Sequence, residues 1–206
     1  MREDTGPRIP TELQPQPGDF DYDLHDALAA IVSLRARIPD DAFTASILGT
    51  ERGGHGVMIA DTGLIVTIGY LITEAEEIWL VSQSGHALLG HVVGYDYESG
   101  LGLVQPLGTL EAPSMQVGTT RALQVGEDVV VAGYGGLDQS IKARIASKRE
   151  FAGYWEYVLD EAVFTSPPHP NWGGAALISS DGRLCGIGSL YIDQILAEMS
   201  SLDGNM

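Results

Sequence analysis

From residue 43 onward, the sequence is built of short apolar runs separated by turns rich in Gly, Asp and Ser. About six runs fill the first half, from FTASILG to LGLVQPL, and about six fill the second, from EDVVVAGYG to RLCGIGSLYI. Runs of this length, with turn signals such as DTG at 61–63 and SDG at 180–182 between them, are typical of strands. The pattern predicts an all-β protein of two sandwiches or barrels, one at 43–108 and the other at 109–206.

The residues before this region carry a different pattern. Residues 1–20 hold four of the ten prolines and no periodicity, which predicts a mobile arm. Apolar residues then recur at steps of three and four, which predicts an N-terminal helix over 21–38 that is capped by Asp21 or Asp23 and ended by Pro39. The apolar residues with this spacing are Leu24, Leu28, Ile31 and Leu34.

The charge balance limits the partners of this chain. It carries 11 Lys and Arg against 28 Asp and Glu, which gives a net charge of −17. A surface this acidic repels phosphate backbones and anionic bilayers, so nucleic acids and membranes are excluded as partners. The charge leaves a neutral or basic peptide or protein as the expected partner.

Cysteine usage and the N-terminal residues bear on the compartment. Cys185 is the single cysteine, so no disulfide forms within the chain. The first residues show no apolar signal region, and no run approaches the roughly 18 apolar residues of a membrane span. We expect a soluble protein, with the cytoplasm favoured, or the periplasm if a leader has been removed.

Several segments follow one another in an order that is familiar from one family. Residues 53–106 contain GGHGVMIA, TIGYLI and GLGLV, and the second half contains GEDVVVAGYG and PNWGGAALISSDGRLCGIG. The order resembles the trypsin-fold serine proteases of the HtrA/Do-like branch, whose segments read GSGFII, TNAHVV, DLALL, AIGYP and GNSGGPL. The resemblance covers about residues 43–192 and implies two packed six-stranded antiparallel β-barrels.

The same resemblance implies that the catalytic triad is degenerate. The histidine of TNAHVV is replaced by Tyr70, the aspartate of DLALL by Gly100, and the serine of GNSGG by Trp172. A phenol with a pKa near 10 is a poor proton acceptor at neutral pH. The oxyanion loop of such enzymes uses the backbone N–H two residues before the nucleophile, and that residue is Pro170, which has none. The rest of this loop is Asn171 and Gly173.

Other residues offer an alternative chemistry. The candidates for a base in a new position are His55, His86, His91 and His169. Thr165 and Ser166 are candidates for the hydroxyl, and Asp96 and Glu98 are candidates for the carboxylate. The five histidines are scattered, so no metal site is predicted. The Gly-rich loop at 133–136 lacks a following Lys-Ser/Thr, so no cofactor is predicted either.

The replaced positions suggest a candidate binding cleft formed by Tyr70, His169 and Trp172. Stacking of Tyr70 on Trp172 across the cleft would stabilise the barrels, and the cleft could bind peptides by strand addition. The resemblance therefore favours an inactive homologue acting as a binding or scaffolding module. The alternatives are a serine-type endopeptidase with a rearranged site and a purely structural oligomer subunit. Chains of this family continue with one more strand and a helix, so we also expect the second barrel to be cut short or completed by a partner.

Overall fold

The first half of the chain forms a closed, six-stranded antiparallel barrel. The computed structural model describes residues 7–152 and 158–191. Around the barrel, the strands follow the order β1-β2-β3-β6-β5-β4, and β1 closes it by pairing with both β2 and β4. The strands are β1 (Ile31–Arg37), β2 (Glu51–Met58), β3 (Ile65–Ile68), β4 (Glu77–Val81), β5 (Ala87–Tyr95) and β6 (Leu101–Pro106).

The second half forms an antiparallel sheet with five strands in the described residues, in the order β11-β10-β7-β8-β9. Its strands are β7 (Asp128–Ala132), β8 (Ser140–Ala152), β9 (Val158–Ser166), β10 (Ala176–Ile178) and β11 (Leu184–Ile187). The prediction of a mostly β protein with the trypsin-like double-barrel fold is confirmed. The sixth strand predicted for this half is not found in the described part. Residues 158–160, which end the run YWEYVLD, and the run AVFTS lie in the one strand β9.

Helices are few and short. Within residues 7–152 and 158–191, the α-helices are α1 (Leu24–Ala29) and α2 (Ala45–Leu48), and the 3₁₀ turns are Thr11–Leu13, Gly69–Leu71, Thr120–Ala122 and Gly136–Gln139. Asp23 caps α1, since its carboxylate accepts hydrogen bonds from the backbone N–H groups of His25 and Asp26. None of the helices in the described ranges is long and apolar enough to cross a membrane.

The helix predicted over 21–38 is wrong in its second half. The helix ends at Ala29, and residues 31–37 form strand β1. Val32, Leu34 and Ala36 alternate into the barrel core, while Arg35 and Arg37 point outward. The spacings of three residues between Leu28, Ile31 and Leu34 also fit a helix, which is why the alternation of strand β1 was not recognised. The first barrel therefore begins at residue 31 and not at residue 43.

The mobile arm predicted for residues 1–20 is also wrong over its described part. Ile9 is buried and its backbone N–H donates to the Asp138 carbonyl at 2.9 Å. Asp19 forms an ion pair with Lys142 on β8 at 3.2 Å. Proline content therefore indicated irregular backbone correctly, but contacts with the second sheet hold that backbone in place.

A cluster of buried apolar side chains packs between the two sheets and holds them together. Leu28 and Ile31 lie in it together with Val57 on β2, and Val130 and Ile178 come from the second sheet. A second cluster fills the closed barrel, and a third lies within the second sheet. The loops at the junction of the sheets are thus held between two packed bodies.

Candidate functional site

Three segments that the sequence singled out meet at the junction of the sheets. Tyr70 lies in the 3₁₀ turn that follows β3, Gly100 immediately precedes β6, and Trp172 lies in the loop before β10. The Gly69 N–H donates to the Gly100 carbonyl at 2.7 Å, and a Cβ placed on Gly173 would stand 3.0 Å from the Tyr70 hydroxyl. The three triad positions are therefore neighbours, as the resemblance implies.

The Tyr70 side chain connects the two halves of the site. Its hydroxyl donates a hydrogen bond to the Ser189 carbonyl at 3.1 Å. Ser189 lies in the segment that follows β11 and lines the cleft beside the site. At position 70, to which the resemblance assigns the family's histidine, there is thus a side chain that links the first barrel to the wall of the cleft.

The space beside the carboxylate position holds an aromatic ring. A Cβ added to Gly69 would overlap the Tyr95 ring and would lie 2.9 Å from the Gly100 carbonyl oxygen. Tyr95 in turn packs edge-on against Tyr97, with ring centroids 4.5 Å apart. Gly100 adopts φ +72°, a backbone conformation that an aspartate at this position would adopt only with strain.

The neighbouring carboxylates have other partners. Asp96 accepts hydrogen bonds from the Ser99 hydroxyl and from the backbone N–H groups of Glu98 and Ser99. The Ser99 hydroxyl, followed by the Glu98 N–H, holds the pKa of Asp96 below its ordinary value. The carboxylate of Asp96 therefore organises its own turn, and Glu98 contributes a backbone donor to it.

The loop that carries Trp172 is held by backbone hydrogen bonds to the segment after β11. The Gly174 N–H donates to the Gly188 carbonyl at 2.8 Å, and the Gly188 N–H donates to Ala175 at 2.7 Å. The Trp172 indole is 38% exposed and packs on Tyr191, with centroids 5.5 Å apart. In place of the predicted Tyr70–Trp172 stack, the described residues show both aromatic side chains contacting segment 189–191.

His169, the third residue of the predicted cleft, is buried and has both ring nitrogens engaged. Its Nδ1 accepts from the Asn171 N–H at 3.1 Å. Its Nε2 lies 3.0 Å from the Gln139 carbonyl oxygen and must donate there, because a carbonyl only accepts. The Asn171 side chain also donates to the Gln139 side-chain oxygen at 3.1 Å. His169 therefore fixes the backbone of the loop that contains Pro170.

His55 forms a second buried histidine beside His169, with ring centroids 6.4 Å apart in an edge-on arrangement. Its Nδ1 accepts from the Tyr134 N–H at 3.0 Å, and its own backbone N–H donates to the Gly173 carbonyl at 2.9 Å. Burial, and then the neighbouring His169, lower the pKa of His55 to about 4, and burial also lowers the pKa of His169. Both rings are neutral at neutral pH.

The remaining candidate residues do not form a second constellation. His86 lies in the turn between β4 and β5, and His91 lies on β5 opposite Gln105, both in the first barrel. Thr165 and Ser166 line the cleft near His169, whose ring nitrogens are already occupied. In the described ranges, no three His, Cys, Asp or Glu side chains converge in a way that could hold a metal ion.

The cleft itself has a volume of about 500 Å³ and is lined mainly by the second sheet, with Ser99 and Leu101 contributed by the first half. Strands β8 and β9 line one side of it, β10 and β11 another, and Trp172 with Tyr191 lie at its edge next to the triad positions. Its described lining is mostly apolar and includes Leu159, Phe164 and Leu177. The cleft can hold an apolar side chain or an extended chain segment.

Sequence reasoning missed three residues of this site: Tyr95, Ser189 and Tyr191. Tyr191 and Ser189 follow the run GIG directly, in a segment that was assigned only to a strand. Tyr95 ends the run HVVGY, and no local pattern reveals that its ring lies over Gly69. The only available signal was the presence of Gly at position 69, where the family sequence TNAHVV has alanine.

Comparison with known proteins identifies a family that this chain matches. Residues 54–187 match the trypsin-like peptidase domain family. Serine endoprotease DegS of Salmonella typhimurium is 27% identical over 181 residues, which cover 86% of this chain and 50% of that protein. Serine protease HTRA4 of Mus musculus is 28% identical over 148 residues, which cover 68% of this chain and 30% of that protein. The chain thus spans half or less of the length of these relatives.

Solved structures agree with the fold. The HtrA-type protease AlgW with a tripeptide superposes with a TM-score of 0.62 at 19% identity, covering 86% of this chain and 61% of that one. A variant of the same protease with a decapeptide gives a TM-score of 0.63 at 17% identity, covering 87% and 65%. The chain belongs to the trypsin-like peptidase family and is homologous to the HtrA and DegS serine proteases.

Proposed function

We propose that this chain is a catalytically inactive trypsin-like peptidase domain that binds extended peptides without hydrolysing them. The observation that carries the proposal is the hydrogen bond from the Tyr70 hydroxyl to the Ser189 carbonyl. In this family the base at position 70 must take a proton from a nucleophile on the loop at 172. Here the hydroxyl group at position 70 is itself a hydrogen-bond donor, and its acceptor is the Ser189 carbonyl in the wall of the cleft.

Each further requirement of acyl transfer is also unmet at its family position. The mechanism needs a hydroxyl nucleophile, a base, a carboxylate that orients the base and an oxyanion hole. Trp172, Tyr70 and Gly100 supply none of the first three, and Pro170 lacks one oxyanion N–H. Loss of a single oxyanion donor typically lowers the rate by about 10² to 10³.

The contacts of His169 weigh against a rearranged endopeptidase. A general base needs a ring nitrogen that is free to accept a proton from a neighbouring hydroxyl. The two nitrogens of His169 instead bond to Asn171 and to Gln139, and burial depresses its pKa. Thr165 and Ser166, which line the same cleft, are thus left without an activating base at His169.

The cleft and its aromatic edge support peptide binding. Trp172 and Tyr191 together form a tilted aromatic pair beside apolar walls, and segment 186–191 lines the cleft along its length. An extended peptide can add along such a segment as a strand, with one side chain directed into the apolar walls. The net charge of −17 favours a neutral or basic peptide over an acidic one.

Fluorophosphonate labelling tests the absence of hydrolytic chemistry. The purified chain and an active HtrA-type protease are treated with the same serine-directed probe, and the covalent adduct is measured by mass spectrometry. We expect full labelling of the active protease and none of this chain. Stoichiometric labelling of this chain would overturn the proposal.

Binding is measured separately, with fluorescein-labelled extended peptides that each carry one apolar residue and are basic, neutral or acidic. We expect basic and neutral peptides to bind, and Trp172→Ala to weaken that binding by about tenfold or more. Trp79→Ala removes an indole of similar exposure on β4, outside the cleft lining, and is the matched control. Equal weakening by both substitutions, or binding of acidic peptides alone, would contradict a peptide site at Trp172.

A further inference from the structure

A second surface, away from the cleft, displays two apolar side chains on a short helical turn. Phe43 is 86% exposed and Ile47 is 69% exposed, four residues apart on the turn that contains α2 (Ala45–Leu48). Phe43 immediately precedes the N-cap Thr44 and Ile47 lies within the helix, so both exposed side chains belong to one five-residue stretch. We call this surface, residues 43–48, the apolar turn.

A carboxylate fixes the start of the apolar turn. Glu74 accepts hydrogen bonds from the backbone N–H groups of Phe43 and Thr44, at 3.0 and 2.8 Å, and from the Thr44 hydroxyl. These bonds hold the pKa of Glu74 below its ordinary value, the Thr44 hydroxyl contributing most. Glu74 adopts φ +61°, an uncommon conformation for a residue other than glycine.

A buried arginine fixes the other side. Arg52 on β2 is only 5% exposed, and its guanidinium donates to the carbonyls of Gly49, Tyr70 and Thr73 and to the Thr44 hydroxyl. Burying a charge is costly unless it is fully bonded, so this network holds one arrangement of the segment. The apolar turn is therefore preorganised, and a rigid surface loses less entropy when a partner binds.

The charges around the apolar turn indicate its partner. Asp40, Asp41, Glu51 and Glu74 are exposed in and beside it, while Arg52, which bonds to Thr44, is buried beneath it. On the adjacent strand β1, Arg37 forms ion pairs with Glu76 and Glu77, which leaves Arg35 as a single exposed cation there. Two exposed apolar anchors in an acidic surround complement a basic partner, and the net charge of −17 disfavours a second copy of this chain.

We propose that the apolar turn is a docking surface for a basic, amphipathic segment of another protein. Apolar side chains of that segment contact Phe43 and Ile47, and its lysines or arginines face the surrounding carboxylates. This surface goes beyond the proposed peptide cleft and depends on different residues, so either site can fail without the other.

The test uses a defined probe, a fluorescein-labelled amphipathic peptide of leucine and lysine, with a leucine–glutamate peptide of the same pattern as its counterpart. Fluorescence anisotropy gives the Kd for the full chain, for Phe43→Ser/Ile47→Ser and for Tyr97→Ser, which removes a comparably exposed side chain elsewhere. We expect the double variant to weaken binding of the lysine peptide by at least about tenfold and Tyr97→Ser to leave it unchanged. Higher salt should weaken binding, and the leucine–glutamate peptide should not bind.

Trp172→Ala separates this site from the cleft. The leucines of the probe recur every three to four residues, so it presents its apolar face as a helix and does not add to the cleft as an extended strand. Its affinity should therefore be unchanged by Trp172→Ala. Hydrogen exchange should show protection at residues 40–50 when the peptide is bound. Equal affinity in the Phe43→Ser/Ile47→Ser variant, or loss of binding in Trp172→Ala alone, would overturn the proposal. So would sedimentation showing that the chain self-associates through Phe43, since a second copy would then be the occupant.

Discussion

The core of the first barrel and the wall of the cleft in the second sheet bury their apolar side chains to different degrees. In the first barrel, β1 pairs on both sides, and core residues such as Val32, Leu34 and Leu80 are fully buried. In the second sheet, β8 and β9 carry half-buried apolar residues that line the cleft, among them Leu159. The closed barrel thus provides a rigid frame, and the candidate site lies where the second sheet and its loops rest against that frame.

Truncation of matched leucines tests this difference and should have the largest effect. Leu80→Ala leaves a cavity in the closed barrel and should lower the free energy of unfolding by about 3 kcal/mol. Leu159→Ala removes a half-buried cleft side chain and should lower it by about 1 kcal/mol or less. Urea unfolding followed by circular dichroism measures both. Equal losses would show that the second sheet is packed as tightly as the barrel.

Acid should weaken the contact between the two halves through the buried histidines. The unfolded chain has an ordinary histidine pKa of about 6.5, while that of folded His55 is about 4, so the unfolded state binds more protons below pH 6.5. Above pH 6.5, His55 therefore does not change the free energy of unfolding. As the pH falls toward 4 the free energy of unfolding decreases, and at pH 5 the loss is about 2 kcal/mol.

Urea unfolding at pH 7 and pH 5 measures this loss in the wild type, His55→Gln and His25→Gln. Glutamine can still accept from the Tyr134 N–H but does not titrate, so His55→Gln should lose less stability on acidification. His25 is exposed on α1, and His25→Gln is the control for replacing a histidine outside the buried pair. If the free energies of unfolding of His55→Gln and His25→Gln change equally between pH 7 and pH 5, the buried histidines do not make the contact between the two halves pH-dependent.

Restoring the family's alanine at position 69 tests whether the Tyr95 ring fills the space beside the triad positions. The added methyl would overlap the Tyr95 ring and crowd the Gly100 carbonyl, so Gly69→Ala should cost about 1–3 kcal/mol. In a Tyr95→Ala background the same change should cost clearly less, because the ring is gone. A double-mutant cycle by urea unfolding measures this coupling. Additive effects would show that Tyr95 does not occupy the triad space.

The sequence predicted the architecture better than the site contacts. Turn spacing and motif order were sufficient for the double-barrel fold, because strand length and turns are local properties. Strand β1 was missed since its spacing fits a helix until its pairing with β2 and β4 is known. Motif order assigned the three triad positions. Ser189, Tyr191 and Tyr95 reach these positions through contacts between residues far apart in the chain, which no local pattern contains.

The most direct test of the account compares two peptides of identical sequence, one ending in a boronic acid and the other in an amide. A boronic acid forms a transition-state-like adduct with an active serine, and such analogues bind active enzymes about 10² to 10⁸ times more tightly than substrates. Calorimetry on this chain should give the two peptides equal affinities, both weakened by Trp172→Ala. A boronate preference of about a hundredfold or more would show a working nucleophile and contradict the account.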